Sequence, residues 1–274
     1  MSRKIDKNHP GMLRQDIMKD EFGWEVPVES VPLPSRGMLY DPETTLYNRE
    51  TIPIKAMTAN EEDILSSQAY IKEGLVINKL IEACVTDKSF NIDDLTLGDR
   101  NALMIAVRVT GYGPEYPIIS SCTNCGLQQE VNVNLSDLEI KRLQIEPIES
   151  GKNEFEFILP VTKKRVTFKF LTLKDDNERN TINKAYQENF DSKLERNVTS
   201  FLAHTVTSVD GKTDKNKIRH FIQNMPAYDS RKLRKFINES EPGIVMTTEF
   251  DCTHCAHRNS TTLPMNSEFF WPST

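Results

Sequence analysis

The sequence lacks a hydrophobic segment long enough to cross a membrane, and it carries no excess of basic charge. Its most apolar run, at 102–109, is short and contains Arg108, whereas a membrane-spanning helix needs about 20 apolar residues. The net charge is −6 and the isoelectric point is about 5.5. This balance argues against a general nucleic-acid binder, because such proteins carry a basic surface. The first 24 residues hold no apolar segment typical of a signal peptide, so we expect folding in a reducing cytoplasm, where disulfides are rare.

Motifs that carry catalysis are also missing. The chain has no glycine-rich phosphate loop, no nucleophile elbow and no His-Glu-x-x-His pattern. Its five histidines have no acidic partner at a useful spacing. Adjacent acids occur at 61–63, but they lie in the first turn of a predicted helix, where they complement the helix dipole. The sequence therefore predicts a protein that is not an enzyme and has no small-molecule substrate.

Four of the five cysteines form two C-x-x-C pairs, Cys122 with Cys125 and Cys252 with Cys255. In a cytoplasmic protein, two such pairs point to one zinc ion held by four thiolates. A redox centre is the alternative, but both pairs are followed by polar strand-like sequence rather than by the helix that activates a redox cysteine. A lost or vestigial metal site is the other alternative. The fifth cysteine, Cys84, lies on an apolar helix face and is interpreted as a small buried hydrophobe.

The neighbours of the two pairs refine this hypothesis. Gly126 follows the first pair and permits the positive φ that a metal knuckle often needs, whereas the second pair has Ala256 at that position. His254 and His257 offer substitute ligands, although their setting is more typical of exposed turn residues. Each pair interrupts two alternating segments, which predicts a β-hairpin with the knuckle at its tip. This is the local form of a zinc ribbon whose halves are far apart in sequence.

The segments before the two pairs resemble each other in the same order. A strand is followed by a capping-box pattern, Thr58 with Glu61 in one case and Thr172 with Asp175 in the other. Further on, 79–87 resembles 200–208, and helices predicted to open at Asp99 and Asp229 precede the two pairs by equal distances. The pattern predicts an internal duplication with an insertion in the second half. We therefore expect an α+β fold of two pseudo-repeat lobes, each with a strand, helices and a zinc-knuckle hairpin, joined by a shared zinc-ribbon-like four-cysteine site.

Composition suggests the boundaries of this organisation. Residues 1–30 are polar without a sustained period and are interpreted as a flexible or partner-ordered arm. The first lobe is predicted at 31–150 and the second at 151–274. The second ends in three adjacent aromatic residues, Phe269, Phe270 and Trp271. We predict that these bind a partner, since Trp and Phe dominate interface hot spots; the alternative is that they fill a groove on their own domain.

Four quoted segments carry a resemblance to a known family. They are "VPLPSRGMLY", "MTANEEDILSSQAYIKEGLVINKLIEACV", "LTLGDRNALMIAVRVTGYGPEY" and "NEFEFILPVTKKRVTFKFLT". From about residue 31 to the last residue, the chain resembles the baseplate protein family of T-even-like contractile-tailed bacteriophages. The resemblance implies a baseplate hub subunit or hub-assembly factor that binds other hub or tail proteins during tail morphogenesis. It implies no catalytic residues, and it places the protein in the host cytoplasm during assembly, with its presence in the finished virion tail left open.

A zinc-ribbon regulator that binds nucleic acid is the alternative from another class. Basic clusters at 163–165 and 231–235 would contact phosphates in that case. On an acidic chain, a solvated helix face is the better interpretation of these clusters. The expected partners are therefore proteins, with no nucleic acid and no membrane.

Overall fold

The computed structural model describes residues 13–19, 25–190, 197–264 and 267–270. Helices alternate with short antiparallel strands, which confirms the predicted α+β class. None of the helices in these ranges is long and apolar enough to span a membrane.

The described residues hold eight α-helices. They are α1 (Ala59–Ser66), α2 (Gln68–Glu73), α3 (Val76–Cys84), α4 (Leu97–Tyr112), α5 (Leu173–Phe190), α6 (Asn197–Thr205), α7 (Lys215–Gln223) and α8 (Ala227–Ser240).

Twelve strands accompany these helices in the same ranges. They are β1 (Leu13–Lys19), β2 (Glu25–Pro32), β3 (Thr51–Lys55), β4 (Glu115–Ser121), β5 (Gln128–Asn134), β6 (Ile140–Lys141), β7 (Phe155–Ile158), β8 (Arg165–Phe168), β9 (Val206–Val209), β10 (Gly243–Ile244), β11 (Thr247–Asp251) and β12 (Arg258–Thr262).

The strands form two three-stranded sheets and three two-stranded pairs. The first sheet has the order β1-β2-β3 and the second has the order β7-β8-β9. Two hairpins, β4–β5 and β11–β12, carry the cysteine pairs at their tips. We call them the first and second Cys hairpins. The pair β6–β10 connects the first half of the chain to the second.

The predicted arm at 1–30 contains regular structure. β1 and most of β2 lie inside this stretch, and β2 pairs with β1 over residues 25–30 and with β3 over residues 28–32. In β2, Val28 and Ser30 are buried and the intervening Glu29 is half-buried, which fits a strand with one more deeply buried face. Part of the predicted flexible or partner-ordered arm is therefore paired as strand, since backbone pairing holds polar segments as well as apolar ones; the arm itself stays a prediction. Residues 1–12 and 20–24 lie outside the described residues.

The described residues form two hydrophobic cores. The first core is formed by residues between 31 and 138, together with residues from the C-terminal part such as Leu263, Phe269 and Phe270. The second core is formed mainly by residues between 155 and 237. The second Cys hairpin therefore leads the chain back to the first core.

Both predicted capping boxes form. Thr58 donates its amide and hydroxyl to the Glu61 carboxylate at 2.9 and 2.6 Å, and Lys55 donates to the same carboxylate at 2.7 Å. Attraction from Lys55 and the Thr58 donors outweighs the effect of burial, so the pKa of Glu61 is lowered. We call these three residues the first cap cluster.

The second cap cluster consists of Lys169, Thr172 and Asp175. Thr172 donates its amide and hydroxyl to the Asp175 carboxylate, each at 3.0 Å, and Lys169 donates at 2.7 Å. The Asp175 amide returns a bond to the Thr172 hydroxyl at 3.3 Å. The shorter aspartate side chain therefore serves as well as glutamate here.

Asp99 and Asp229 were predicted to open helices as N-caps, and this prediction is wrong. The N-cap positions belong to Thr96 and Pro226, and both aspartates lie one turn inside α4 and α8, fully buried. The Asp99 carboxylate accepts the amide and hydroxyl of Ser35 at 2.9 and 2.5 Å. A carboxylate in the first helical turn still benefits from the helix dipole.

Asp229 makes the equivalent contacts in the second half. It accepts the amides of Val161 and Thr162 at 2.7 and 3.0 Å and the Thr162 hydroxyl at 2.9 Å. Burial raises the pKa of Asp229, but these donors outweigh it and leave the pKa below its usual value. Each aspartate thus ties the start of a helix to a turn that is distant in sequence.

Substituting Asp229 with alanine tests this tie. We expect the free energy of unfolding to fall by roughly 2–4 kcal/mol, because the fully buried Asp229 carboxylate accepts three hydrogen bonds from the turn and all three are lost. Urea denaturation measures the change. The matched control is Glu239→Ala on the same helix, where an exposed side chain pairs with Lys235 at 3.4 Å and a loss below about 0.5 kcal/mol is expected. Equal losses in the two variants would contradict the proposed role of Asp229.

Candidate metal centre

Both Cys hairpins close with the same knuckle geometry. In the first, the Cys122 amide donates to Leu127 O at 2.8 Å and the Gly126 amide donates to Cys122 O at 2.9 Å. In the second, the Cys252 amide donates to His257 O at 3.0 Å and the Ala256 amide donates to Cys252 O at 2.9 Å. The matching pattern places the two cysteines of each pair on one side of a tight turn.

The residue after each pair adopts a positive φ, as predicted for a knuckle. The angle is 75° at Gly126 and 54° at Ala256. Alanine reaches the left-handed region only at an energetic cost, so the second knuckle is more strained than the first. The surrounding hairpin hydrogen bonds hold it in place.

The four cysteine sulfurs converge at the tips of the hairpins. The Sγ atoms of Cys122 and Cys255 lie 3.7 Å apart, and those of Cys125 and Cys252 lie 3.6 Å apart. All four Sγ atoms lie within 4.8 Å of one another. A tetrahedral ion with bonds of about 2.3 Å to sulfur requires sulfur–sulfur distances of about 3.8 Å. The cluster therefore fits a tetrahedral metal ion, and the separations are too long for disulfides.

Neighbouring donors favour the thiolate form, which a metal ion needs, at two of the four cysteines, Cys122 and Cys255. The Cys125 amide is the main cause that lowers the pKa of Cys122 to about 6. The Asn124 amide group, 3.5 Å from Cys255 Sγ, is the main cause that lowers the pKa of Cys255. The pKa of Cys125 rises to about 12, because the Leu127 amide lowers it less than burial and the neighbouring sulfurs raise it. The cluster thus carries negative charge in part, and metal binding would release the remaining protons.

Two side chains that the sequence reasoning missed link the knuckles reciprocally. Asn259 on the second Cys hairpin accepts the amide and hydroxyl of Thr123 on the first, each at 2.9 Å. Gln129 on the first accepts the amide and hydroxyl of Thr253 on the second, at 2.9 and 3.1 Å. A signal was present in the sequence, since each amide side chain follows the first cysteine of its own pair by the same number of residues.

Asn259 also supports the metal ligands directly. It is buried, and its Nδ2 donates to His257 O at 2.7 Å and approaches Cys122 Sγ at 3.6 Å. Every polar atom of its side chain is therefore satisfied. Groups that bond to metal ligands hold them in orientation, which assigns Asn259 a positioning role.

His254, His257 and Cys84 lie outside the four-cysteine cluster. His254 and His257 are exposed and lie outside the group of four ligands, as expected for turn residues. Cys84 is completely buried in the first core, and burial raises its pKa to about 12. It therefore packs as a small hydrophobic residue. Among the described residues, the four cysteines are the one group of His, Cys, Asp and Glu placed to hold a metal ion.

The aromatic tail does not extend away from the molecule. Phe269 and Phe270 have no exposed surface, and the Phe269 ring contacts Tyr116 edge-to-face at 5.0 Å between centroids. Arg108, itself buried, donates its Nε to Phe269 O at 3.0 Å. This is the internal docking that the sequence left open as an alternative. A partner-binding role remains a prediction, and in this conformation the two phenylalanine rings leave no surface for a partner. Trp271 lies outside the described residues.

Truncation after Asn266 tests the docking of the tail. Loss of two buried phenylalanine side chains should remove roughly 3–6 kcal/mol of stability, which corresponds to a decrease of about 6 °C or more in Tm. The same truncation should leave the four cysteines able to bind metal. Calorimetry together with metal analysis measures both effects, and an unchanged Tm would show that the tail does not stabilise the fold.

A pair of substitutions tests the support of the knuckles. Asn259→Ala should lower the free energy of unfolding by about 1–3 kcal/mol, since it removes a buried side chain that accepts two hydrogen bonds from Thr123 and donates one to His257 O. Gln129→Ala should cost less, because Gln129 is only half-buried and water can replace it. Chemical denaturation of the two variants gives the comparison. The reverse order of effects would argue against the role assigned to Asn259.

Comparison with known proteins gives one family. No curated protein and no solved structure matches the chain. A family model described as T4 bacteriophage base plate protein matches residues 38–271, a range that includes all four cysteines of the cluster. The match covers most of the sequence and agrees with the resemblance found in its quoted segments. The chain therefore belongs to the T4 bacteriophage base plate protein family.

Proposed function

We propose that the chain is a non-enzymatic structural or assembly protein of the baseplate hub, which binds other hub or tail proteins during tail morphogenesis. The observation that carries this proposal is the family match over residues 38–271. A baseplate family implies a structural tail protein and contact with other tail proteins. We also propose that its place in the baseplate is the hub and that it assembles there in the host cytoplasm. The family does not favour the alternative of a nucleic-acid-binding regulator.

The four-cysteine cluster fits a structural role in such a protein. We infer that Cys122, Cys125, Cys252 and Cys255 hold one zinc ion. Four thiolates complete a tetrahedral coordination shell, so no position would remain for a substrate or an activated water. When bound, zinc would supply folding free energy by fixing the two hairpins together. The near-tetrahedral sulfur separations support this assignment.

An internal duplication accounts for the distance between the two halves of the site in sequence. We propose that the two halves of the chain share one ancestral unit of strand, helices and Cys hairpin. The two cap clusters have the same spacing and the same set of hydrogen bonds. Ile54 bridges Val85 in the first half, and Phe168 pairs with Val206 at the matching position in the second. The equal roles of Asp99 and Asp229 add further support.

The reciprocal knuckle contacts support a near two-fold relation between the halves. Thr123 of the first hairpin bonds to Asn259 of the second, and Thr253 of the second bonds to Gln129 of the first. Exchange of equivalent contacts is the property of an isologous interface. In this proposal, each lobe contributes one knuckle to one shared site, and the predicted lobe boundary near residue 150 separates the two units.

Co-expression with neighbouring tail proteins tests the proposed function. We expect the chain to co-purify with a hub protein, and the complex to withstand raised salt better than a phosphate-driven complex would. Mass spectrometry of mature particles then decides whether the chain remains in the virion. If no tail protein co-purifies, the proposed function fails.

Metal analysis of the purified chain tests the zinc proposal. We expect one equivalent of zinc per chain, and we expect Cys252→Ser to lower stability by several kcal/mol because structural metal binding contributes folding free energy. Cys84→Ser is the matched control and should leave the zinc content unchanged, since its side chain is buried away from the cluster. Two equivalents of zinc, or none in protein prepared without a chelator, would reject a single shared site.

A further inference from the structure

The strand at the edge of the second sheet has an unpaired outer side. β7 pairs with β8, and in the part of the chain that the structure describes no strand pairs with its other side. The Leu159 amide donates to Lys164 O at 2.9 Å across the β7–β8 hairpin. Because alternate residues of an antiparallel strand face the same neighbour, the main-chain groups of Glu156 and Ile158 point away from β8.

The chain covers only the beginning of this edge. The Ile148 amide donates to Glu154 O at 2.8 Å, at the outward position that precedes Glu156. Beyond that point the strand is bordered by exposed apolar side chains, with Ile158 exposed by 62% and Val161 by 54%. Single exposed apolar residues are ordinary, but an apolar border along open main-chain donors and acceptors is typical of a strand-docking site.

The matching edge of the first sheet is covered by β1. The Leu33 amide donates to Glu50 O at 2.8 Å just beyond the β2–β3 pair, as the Leu159 amide does to Lys164 O just beyond β7–β8. The outward residues of β2 are therefore Val28 and Ser30, and these are the residues that pair with β1. Val28 and Ser30 are each only 4% exposed, whereas the outward residues of β7 are exposed. Equivalent strands therefore differ in whether an additional strand lies beside them.

We propose that the outer edge of β7 binds an extended segment of another tail protein, which pairs antiparallel to β7 in the position that β1 holds on the first sheet. The proposal rests on the proposed function for the source of this segment. Apolar side chains of the segment would contact Ile158 and Val161. Lys163 lies in the turn between β7 and β8 and is exposed. Its charge is one of the causes that lower the pKa of Asp229, whereas Lys164 is paired with Asp210 at 2.7 Å. An acidic residue in the segment would complement Lys163.

A second copy of this chain fits the edge poorly. Two β7 edges can pair symmetrically about Glu156, Phe157 or Ile158. Centring on Glu156 places two carboxylates opposite each other, which is destabilising. Centring on Phe157 places the apolar Ile158 side chain opposite the Glu156 carboxylate. Centring on Ile158 places Pro160 opposite Glu156, and Pro160 has no amide to donate. The chain's own β1 is already paired with β2. The edge therefore suits a segment from a different protein.

Two substitutions block the edge without disturbing the sheet. Glu156→Pro removes an outward amide that the β7–β8 ladder does not use, and proline is tolerated at such edge positions. Ile158→Lys keeps the amide but places a charge on the apolar border. The matched control is Ile119→Lys on β4, where the isoleucine is 78% exposed. All three variants should keep the wild-type metal content and Tm.

The experiment compares these variants in complexes formed by co-expression with the neighbouring tail proteins. We expect Glu156→Pro and Ile158→Lys each to weaken the complex by about tenfold or more, as loss of one interface hydrogen bond or apolar contact does, and Ile119→Lys to leave it unchanged. In wild-type protein, amide hydrogen exchange at Glu156 and Ile158 should be fast in the free chain and slowed at least 100-fold in the complex.

The outcomes separate this proposal from the proposed function. Complexes that form equally well with all variants, or edge amides that remain fast in a formed complex, would overturn the docking site and leave the hub function standing. Edge amides already protected in the free monomer, or protected only in a dimer of this chain, would also overturn it. If the wild-type chain binds no tail protein, both proposals fall.

Discussion

The contact between the two Cys hairpins is the constraint on which the rest of the fold depends. It joins side chains separated by 124–137 residues, so the chain must close a very long loop before any of these bonds can form. The entropy cost of that closure grows slowly with loop length. The contacts between the two Cys hairpins must offset this cost within a small area. Reciprocal hydrogen bonds and four converging sulfurs form this contact. Both knuckles have the same geometry because each must present two sulfurs to the other. A metal ion would convert these weak contacts into a fixed junction.

The position of the C-terminal part follows from this junction. After the second Cys hairpin the chain runs back to the first core, where Arg108 binds Phe269 O. The guanidinium also donates to Gly113 O at 2.9 Å and to Glu115 O at 3.3 Å, just beyond the end of α4. A buried cation is costly unless it is well bonded, and carbonyls at a helix C-terminus are favourable acceptors. Arg108 thus connects the end of α4, the first Cys hairpin and the tail.

Local chemistry explains which features were predictable from the sequence. The C-x-x-C pairs, the capping boxes and the buried Cys84 each depend on residues a few positions apart, and all three predictions have the expected structural setting. The contacts of Asp99 and Asp229 depend on turns more than 60 residues away, so the sequence showed only a helix start. The docked tail and the pairing of β1 with β2 depend on surfaces that exist only in the folded chain. Their polar or terminal setting in the sequence suggested exposure instead.

Differences between the halves are concentrated at the edges rather than at the junction. The knuckles, cap clusters and buried aspartates make matching contacts in both halves. The edge strands do not match, since one is covered by β1 while the other is open. The connection from β2 to β3 in the first half is also longer than the connection from β7 to β8 in the second. Under the proposed duplication, the two halves can diverge only where the local structure does not affect the contact between the Cys hairpins. The sheet edges and turns are therefore the surfaces on which the two halves can acquire different partners without loss of the fold.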